Sequence, residues 1–346
     1  MSLCSLDISK AFDSVNHVIL FNKLLDRNLP KSLVLCLVNW YSKMEIVVRW
    51  GNTFSRPTRL SLGVRQGSVL APSFFSVYVN NILSKLAASN LGCHIKGLAF
   101  NAVMYADDLI LMSLSLADLR CMILLCSELF LESLLHLNNL KSTCIRIGPR
   151  HLHALPLVCG SLSFAFGSSL KYLGSTLEAG PSFKCSLQGS KQKFYSASNC
   201  IFSKIGVDSN AYTLTLSLAD SCSVPVLLYN LEALGNKRST LDSIDFIYNS
   251  IFAKLFKIKD IFNIRFCQYS TGYLPISIRL ELRFIKFYEG LRFDNTGSLA
   301  SNLFILLGDQ VYNDMFLRYN LSDLAPLSHN VKQYRAWQLF RESLQS

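Results

Sequence analysis

Tyr105-Ala106-Asp107-Asp108 sets two adjacent carboxylates between apolar flanks, Ala102-Val103-Met104 before and Leu109-Ile110-Leu111-Met112 after. An apolar strand, a tight polar tip and a second apolar strand is the pattern of a hairpin. Side-by-side carboxylates repel each other, and a fold that keeps them needs something positive there. A divalent cation is the candidate; a solvated Asp-Asp turn is the plain alternative for the tetrapeptide alone. A second short apolar stretch, Leu3-Cys4-Ser5-Leu6, runs into Asp7-Ile8 and then Ser9-Lys10-Ala11-Phe12-Asp13. A strand stopping at Asp7 could bring a third carboxylate to the tip. Three carboxylates from strand ends form a hard-oxygen site suited to Mg²⁺ or Mn²⁺.

The elements that must position these acids are short. Helical spacing is expected over 16–26 and 33–40, with paired strands over 46–50 and 58–62, joined through Gly51-Asn52 and Pro57. Gly63-Val64-Arg65-Gln66-Gly67-Ser68 is a polar loop bracketed by glycines; it lacks the Lys-Ser/Thr ending of a phosphate-binding P-loop, which excludes an ATPase site of that kind. Pro72 fits the first turn of a helix reaching about residue 86, where its missing donor costs little. The acidic hairpin is expected over 97–112 and the clearest amphipathic helix over 116–137. An edge strand over 144–147, closed by Gly148-Pro149, and short strands over 162–166 and 170–173 follow. From Gly180-Pro181 the composition shifts: Lys184, Lys191, Lys193 and Lys204 fall on expected helical stretches among Phe183, Phe194, Tyr195 and Phe202. The remainder reads as helical, with basic-aromatic segments at 252–259 and 279–288 of the kind that line strand-binding grooves.

Composition narrows the classes. The 346 residues carry 34 basic and 23 acidic side chains, a net charge of +11, with a pI near 9.1. That balance fits a phosphate-rich partner, or a merely basic surface. The excess is expected near the acidic cleft and on the helices after 180. Half the residues are apolar and 16% charged, with a mean hydropathy of +0.29, which implies extensive burial or a fragment without its covering domain. The 11 cysteines show no zinc-knuckle spacing, so reduced, mostly buried thiols of an intracellular protein are expected. His151 and His153 lack a third ligand and read as surface or turn residues. No apolar run reaches the length of a membrane span, and Met1 leads into no targeting signal.

In order, Leu6-Asp7-Ile8-Ser9-Lys10-Ala11-Phe12-Asp13, then Gly63-Val64-Arg65-Gln66-Gly67-Ser68-Val69-Leu70-Ala71-Pro72, then Tyr105-Ala106-Asp107-Asp108 resemble motifs A, B and C of the reverse transcriptases of non-LTR (LINE-type) retrotransposons. Leu137-Asn138-Asn139-Leu140-Lys141-Ser142, after a helix reaching His136, resembles motif D, and Leu170-Lys171-Tyr172-Leu173-Gly174 resembles motif E, the primer grip. The resemblance covers about residues 3–178. It implies an α+β fold: a palm over 1–180 built as an antiparallel sheet with packed helices, a helical thumb-like region over 181–295, and a C-terminal helical extension over 296–346. Because the chain starts just before motif A, the fingers that precede it in the family would be missing, as in a truncated element copy.

The family's chemistry, laid on these residues, makes Asp7 and Asp107 ligands of two Mg²⁺ or Mn²⁺ ions, with the Ile8 carbonyl as a further oxygen and Asp108 supporting the site. Asp7 and Asp107 would then lie within about 5 Å of each other, sharing ions roughly 3.5–4 Å apart. Phe12 matches the steric gate that favours deoxynucleotides; Gln66 and Gly67 would lie against the template or the incoming base; Lys141 would give a proton to the leaving pyrophosphate. Arg65, standing where many relatives carry Pro, would contact template or primer with Lys171, Tyr172, Gly174, Lys184, Lys191 and Lys193. Plainer roles stand beside these: Phe12 as core, Lys141 as a cation at a helix C-terminus, Asp13 as a loop-ordering acid. The implied partners are an RNA template, a DNA primer and deoxynucleoside triphosphates, in nucleus or cytoplasm, with no membrane. A catalytically inactive nucleic-acid-binding remnant is the alternative; a group II intron maturase is a third reading, without a recognisable maturation segment after the thumb.

Overall fold

The computed structural model describes residues 1–149, 156–206, 211–233, 238–294, 296–307, 310–319 and 328–345; His151 and His153 lie outside them. The chain divides into two compact units, Met1–Cys185 and Ser186–Ser346.

The first unit opens with strand β1 (Ser2–Leu6), a 3₁₀ turn (Phe12–Ser14), and helices α1 (His17–Asp26) and α2 (Lys31–Ser42). Asn16 caps α1 by accepting from the Val18 and Ile19 amides, which satisfies donors that a helix start leaves open. Four two-residue strands follow, β2 (Glu45–Ile46), β3 (Arg49–Trp50), β4 (Thr53–Phe54) and β5 (Thr58–Arg59). The single pair of strands expected here is instead an interrupted ribbon. Ile46 pairs with Thr58 as expected, but Arg49 and Trp50 turn back on Phe54 and Thr53, because Gly51 supplies the positive φ of a tight turn.

Helix α3 (Ala71–Ala88) has Pro72 in its first turn and buries Phe74, Phe75, Tyr78, Val79, Ile82 and Leu86, one face at helical spacing. The stretch expected as one hairpin is two: β6 (His94–Ile95) with β7 (Leu98–Ala99), then β8 (Ala102–Tyr105) with β9 (Asp108–Ser113). Helix α4 (Leu116–Glu132) starts on the Ser115 side chain as its cap. It stops five residues short of the expected end, where Leu134 takes a φ of +54° and breaks the helical ladder. That early end removes Lys141 from any helix C-terminus. Strand β10 (Thr143–Arg146) is an edge strand, as its sequence suggests; β11 (Leu157–Cys159), β12 (Leu162–Phe164), β13 (Ser169–Tyr172), β14 (Ser175–Glu178) and β15 (Lys184–Ser186) complete the unit. Lys184 is thus on a strand joined to the β13–β14 hairpin, not on a helix.

The central sheet runs β10-β1-β9-β8 and is antiparallel throughout. Cys4, Leu6, Leu109, Leu111 and Cys144 pack into the core shared with α1, α3 and α4. Leu3, Ile110, Met112 and Ile145 pack on the opposite face with Leu170 of β13. Burial on both faces explains the unbroken apolar run Leu109–Met112 of β9. The thiols divide more evenly than expected: Cys4, Cys93, Cys126, Cys144 and Cys159 are buried, whereas Cys36, Cys121, Cys200 and Cys222 are exposed.

The second unit is helical: α5 (Gln188–Ile205), α6 (Tyr212–Leu218), a π-helical turn (Ala219–Ser223), α7 (Val224–Leu228), α8 (Arg238–Phe256), α9 (Ile261–Thr271), α10 (Ile276–Arg292), α11 (Leu299–Leu307), α12 (Gln310–Arg318) and α13 (His329–Gln345). Its basic-aromatic segments are divided: their central rings and two arginines turn inward, while Lys254, Lys257, Lys259, Lys286 and Phe287 are exposed. Phe252 and Phe284 are fully buried, Arg279 pairs with Asp220 and Arg283 with Glu232 at 2.9 Å. Phe252, Phe284, Arg279 and Arg283, four of the residues that read as a strand-binding groove, are therefore packing and internal pairing. Among the described residues no helix is long and apolar enough to cross a membrane.

Candidate active site

The β8–β9 hairpin closes at the Tyr105–Asp108 pair, leaving Ala106-Asp107 as its two-residue tip. Ala106 sits at φ +52°, a conformation that costs a residue with a Cβ roughly 1–2 kcal/mol. Strand alternation puts Asp108 on the face of Ile110 and Met112; β1, paired Leu6 to Leu109, carries Asp7 onto the same face one residue beyond the ladder. The Asp108 carboxyl is pushed above the usual carboxylate range, first by burial, then by the charges of Asp107 and Asp7. Each acid is half-buried. Among the described residues no three His, Cys, Asp or Glu side chains are drawn into a ready metal cage. The donor chemistry nevertheless fits a hard divalent ion: three carboxylates in one another's field, with no protein cation among the causes acting on Asp108.

Asp7 is fixed through its backbone by residues after α4. Its amide donates to Ser142 Oγ at 3.0 Å, and that hydroxyl donates to the Asn138 carbonyl at 2.8 Å. The Asn138 amide returns a bond to the Asp7 carbonyl at 2.8 Å, and Ser9 donates to the His136 carbonyl at 2.8 Å. Ile8 and Leu137 complete this clasp as an isolated bridge, with the Ile8 side chain buried. Lys141 stands exposed on the same segment. Ser142, the last residue of the motif D resemblance but given no role by it, is the buried hydroxyl that joins the two pieces; its only sequence signal is its place after Lys141.

The glycine-bracketed loop is stapled to the turn after β1. Gly63 donates to the Val15 carbonyl and Val64 to the Phe12 carbonyl, both at 2.8 Å; a His17 ring nitrogen lies 2.8 Å from the Gly63 carbonyl. Gly63 has a φ of +91°, and a Cβ there would stand 3.0 Å from the Asp13 carbonyl oxygen, so only glycine permits this approach. Gln66 donates its amide to Asp13 at 3.3 Å, which gives Asp13 the loop-ordering role. Phe12 is half-exposed and stacks on Phe75 with centroids 4.7 Å apart. Arg65, Gln66 and Gly67 are exposed along a cavity of about 350 Å³ shared with Trp40, Tyr41 and Met44.

In the β13–β14 hairpin, Leu173 and Gly174 form the tip with φ values of +44° and +80°, the twist that a two-residue hairpin loop favours. Lys171 is exposed. The Tyr172 hydroxyl is buried without a hydrogen-bond partner among the described residues, and its acidity is lowered by burial and then by the Asp108 charge, so this hairpin lies near the acids. Lys191 and Lys193 belong to α5 in the second unit, where Lys191 donates to Ser243 at 2.9 Å.

The family model described as reverse transcriptase (RNA-dependent DNA polymerase) matches residues 2–177, half of the chain, and takes in every acid and loop of this site. The chain belongs to the reverse transcriptase family. Over 209 residues it is 28% identical to a 149 kDa protein of transposon TX1 from Xenopus laevis, covering 60% of this chain and 15% of that one. Over 149 residues it is 30% identical to the Pol polyprotein of the type-2 retrotransposable element R2DM of Drosophila melanogaster, covering 42% and 14%. This reverse transcriptase chain thus spans about one-seventh of the length of the curated relatives it matches. Among solved structures it is similar to apo telomerase from Candida tropicalis, with a TM-score of 0.46 at 12% identity over 98% of this chain and 52% of that one.

Proposed function

We propose that this chain carries the polymerase core of a non-LTR retrotransposon reverse transcriptase, adding deoxynucleotides to a primer 3′ end on an RNA template. The observation that carries the reading is the register that pairs Leu6 with Leu109 and sets Asp7 beside the Asp107-Asp108 hairpin tip at the end of the central sheet. Asp7 and Asp107, with the Ile8 carbonyl, would hold two Mg²⁺ or Mn²⁺ ions, and Asp108 adds negative charge beside them. Such ions, when bound, make the primer hydroxyl more acidic and neutralise the triphosphate and leaving pyrophosphate. The clasp from Ser142 and Asn138 fixes where the Asp7 carboxylate starts. Phe12, backed by Phe75, excludes a ribose 2′-hydroxyl. Gln66 and Gly67 line the template or incoming base, and Lys141 supplies a proton to pyrophosphate. Arg65, Lys171, Tyr172, Gly174, Lys184, Lys191 and Lys193 contact template and primer, with palm, thumb-like and C-terminal regions at 1–180, 181–295 and 296–346. The work would be done in nucleus or cytoplasm.

A non-catalytic nucleic-acid-binding remnant is the second reading, favoured by the exposed cations Lys254, Lys257 and Lys259 of the basic-aromatic segment 252–259. Primer extension on an RNA template, with Mg²⁺ or Mn²⁺ and deoxynucleotides, separates the two. The assay uses this chain and a version extended upstream by the corresponding segment of a longer relative. Metal-dependent extension by the extended version supports the polymerase; no extension by either, with binding intact, supports the remnant.

A further inference from the structure

Most of the positive excess of this chain lies in its first unit. The first unit holds 17 basic and 10 acidic residues, the second 17 and 13, so seven of the eleven excess charges lie in the first. Residues 43–65 contribute Lys43, Arg49, Arg56, Arg59 and Arg65 against Glu45 alone, and no acid stands between Glu45 and Asp107. This segment is the β2–β5 ribbon and the start of the loop that follows it. Every residue from Glu45 to Arg59 is exposed. Trp50 is 85% exposed and Phe54 67%, values that no packing role in this unit explains. The Arg49 guanidinium lies over the Phe54 ring at 5.7 Å, and the register sets Trp50 on the other face of the hairpin. At the base of the ribbon, Trp40 and Met44 line the cavity whose far wall is Arg65, Gln66 and Gly67.

We propose that the β2–β5 ribbon is a binding surface for single-stranded nucleic acid, with Trp50 and the Arg49–Phe54 pair as stacking platforms and Arg56 and Arg59 as phosphate contacts. Exposed rings interleaved with cations, and nearly free of acids, offer what an unpaired strand needs: a face for each base and charge for its backbone. The only ion pair of the ribbon among the described residues, Arg59 with Glu45 at 3.9 Å, is solvent-exposed; such pairs hold their partners weakly. A duplex keeps its bases stacked on each other and has no use for the rings. The ribbon leads from its tip to the Arg65–Gln66 loop, which is bonded to the Asp13 turn, so a strand lying on it reaches the side of the unit that carries motif B. The strand's identity as template rests on the polymerase reading; its binding does not.

The test uses the full chain, in EDTA and without nucleotides, with labelled oligo(U), oligo(dT) and a blunt duplex followed by anisotropy across a salt series. Trp50→Ala weakens both single strands by about tenfold and leaves the duplex unchanged, whereas Trp50→Phe retains binding. The double variant Arg56→Ala/Arg59→Ala lowers the slope of log affinity against log salt by about 1.4, from roughly 0.7 per phosphate contact on single strands. Equal losses for oligo(U) and oligo(dT) identify a stacking-and-phosphate site; a loss for oligo(U) alone identifies an RNA-specific one. If neither variant changes single-strand binding by more than twofold, the proposal is overturned. It is equally overturned if Trp50→Ala leaves binding intact but dissolves a self-association seen by sedimentation. Because metal and nucleotide are absent, failure here leaves the extension assay on the acids untouched.

Discussion

Two regions of this reverse transcriptase chain use cations and rings in opposite ways. In the second unit Arg279, Arg283, Arg318 and Lys332 are paired with Asp220, Glu232, Glu281 and Glu289, and Phe252, Phe284 and Phe340 are sealed in its core. In the ribbon of the first unit the same residue types point at water. A basic-aromatic sequence is therefore no guide to an interface until its partners are known. Inside a helical bundle, each cation needs an acid to offset its desolvation, and each ring is worth more buried than exposed. On a two-residue-wide ribbon there is no interior to receive either.

The contrast is sharpest at Lys332, whose ammonium is buried against an equally buried Glu289 carboxylate. Lys332→Ala strands that carboxylate and should destabilise the second unit by about 3–5 kcal/mol, read as a lowered denaturant midpoint. Arg59→Ala on the ribbon should cost less than about 1 kcal/mol. Equal effects would erase the distinction between the two regions.

Within the first unit, the backbone clasps around the acids should behave like interior structure. Gly63→Ala forces a Cβ against the Asp13 carbonyl at a φ of +91°; a loss of about 1–3 kcal/mol is expected, with extension impaired. Ser142→Ala leaves the Asp7 amide without its side-chain acceptor, at about 1–2 kcal/mol. It should lower the extension rate more than primer affinity, while Ser142→Thr restores part of it.

The smallest effect belongs to Asp245. Its carboxyl is raised above the usual carboxylate range, chiefly by burial, although it accepts the Ser277 amide at 3.0 Å. A raised carboxyl keeps its proton longer in the folded state than in the unfolded one. The wild-type chain therefore loses stability as pH climbs from the unfolded carboxyl value, about 3.9, through the folded one. Asp245→Asn can still accept from Ser277, so it should be more stable than wild type near pH 7, and the gain should vanish below pH ~4. A gain independent of pH would mean that charge is not its cause.

The residues that announced themselves in the sequence were those whose pattern and environment agree. The Asp107 hairpin, β1 up to Asp7, and α3 with its early proline follow from local period and local chemistry. Other features are settled by distant partners. The α4 helix gives way at Leu134 so that Leu137 can bridge Ile8, a long-range choice that amphipathic spacing does not reveal. The split of the ribbon at Gly51 overrides a longer β pattern. His17 and Ser142 matter because they meet Gly63 and Asp7 across the fold, and neither neighbourhood in sequence carries that signal. Lys184 belongs to β15 because a third strand was available to pair beside β14.

The central claim is that Asp7, Asp107 and Asp108 form the nucleotidyl-transfer site. It is tested most directly by metal-dependent extension of a DNA primer on RNA by the upstream-extended chain, alongside its Asp107→Asn variant. Removing one of two charges that must hold ions should abolish incorporation while primer–template binding in EDTA is retained. Extension by Asp107→Asn at the wild-type rate would contradict the assignment of chemistry to this hairpin.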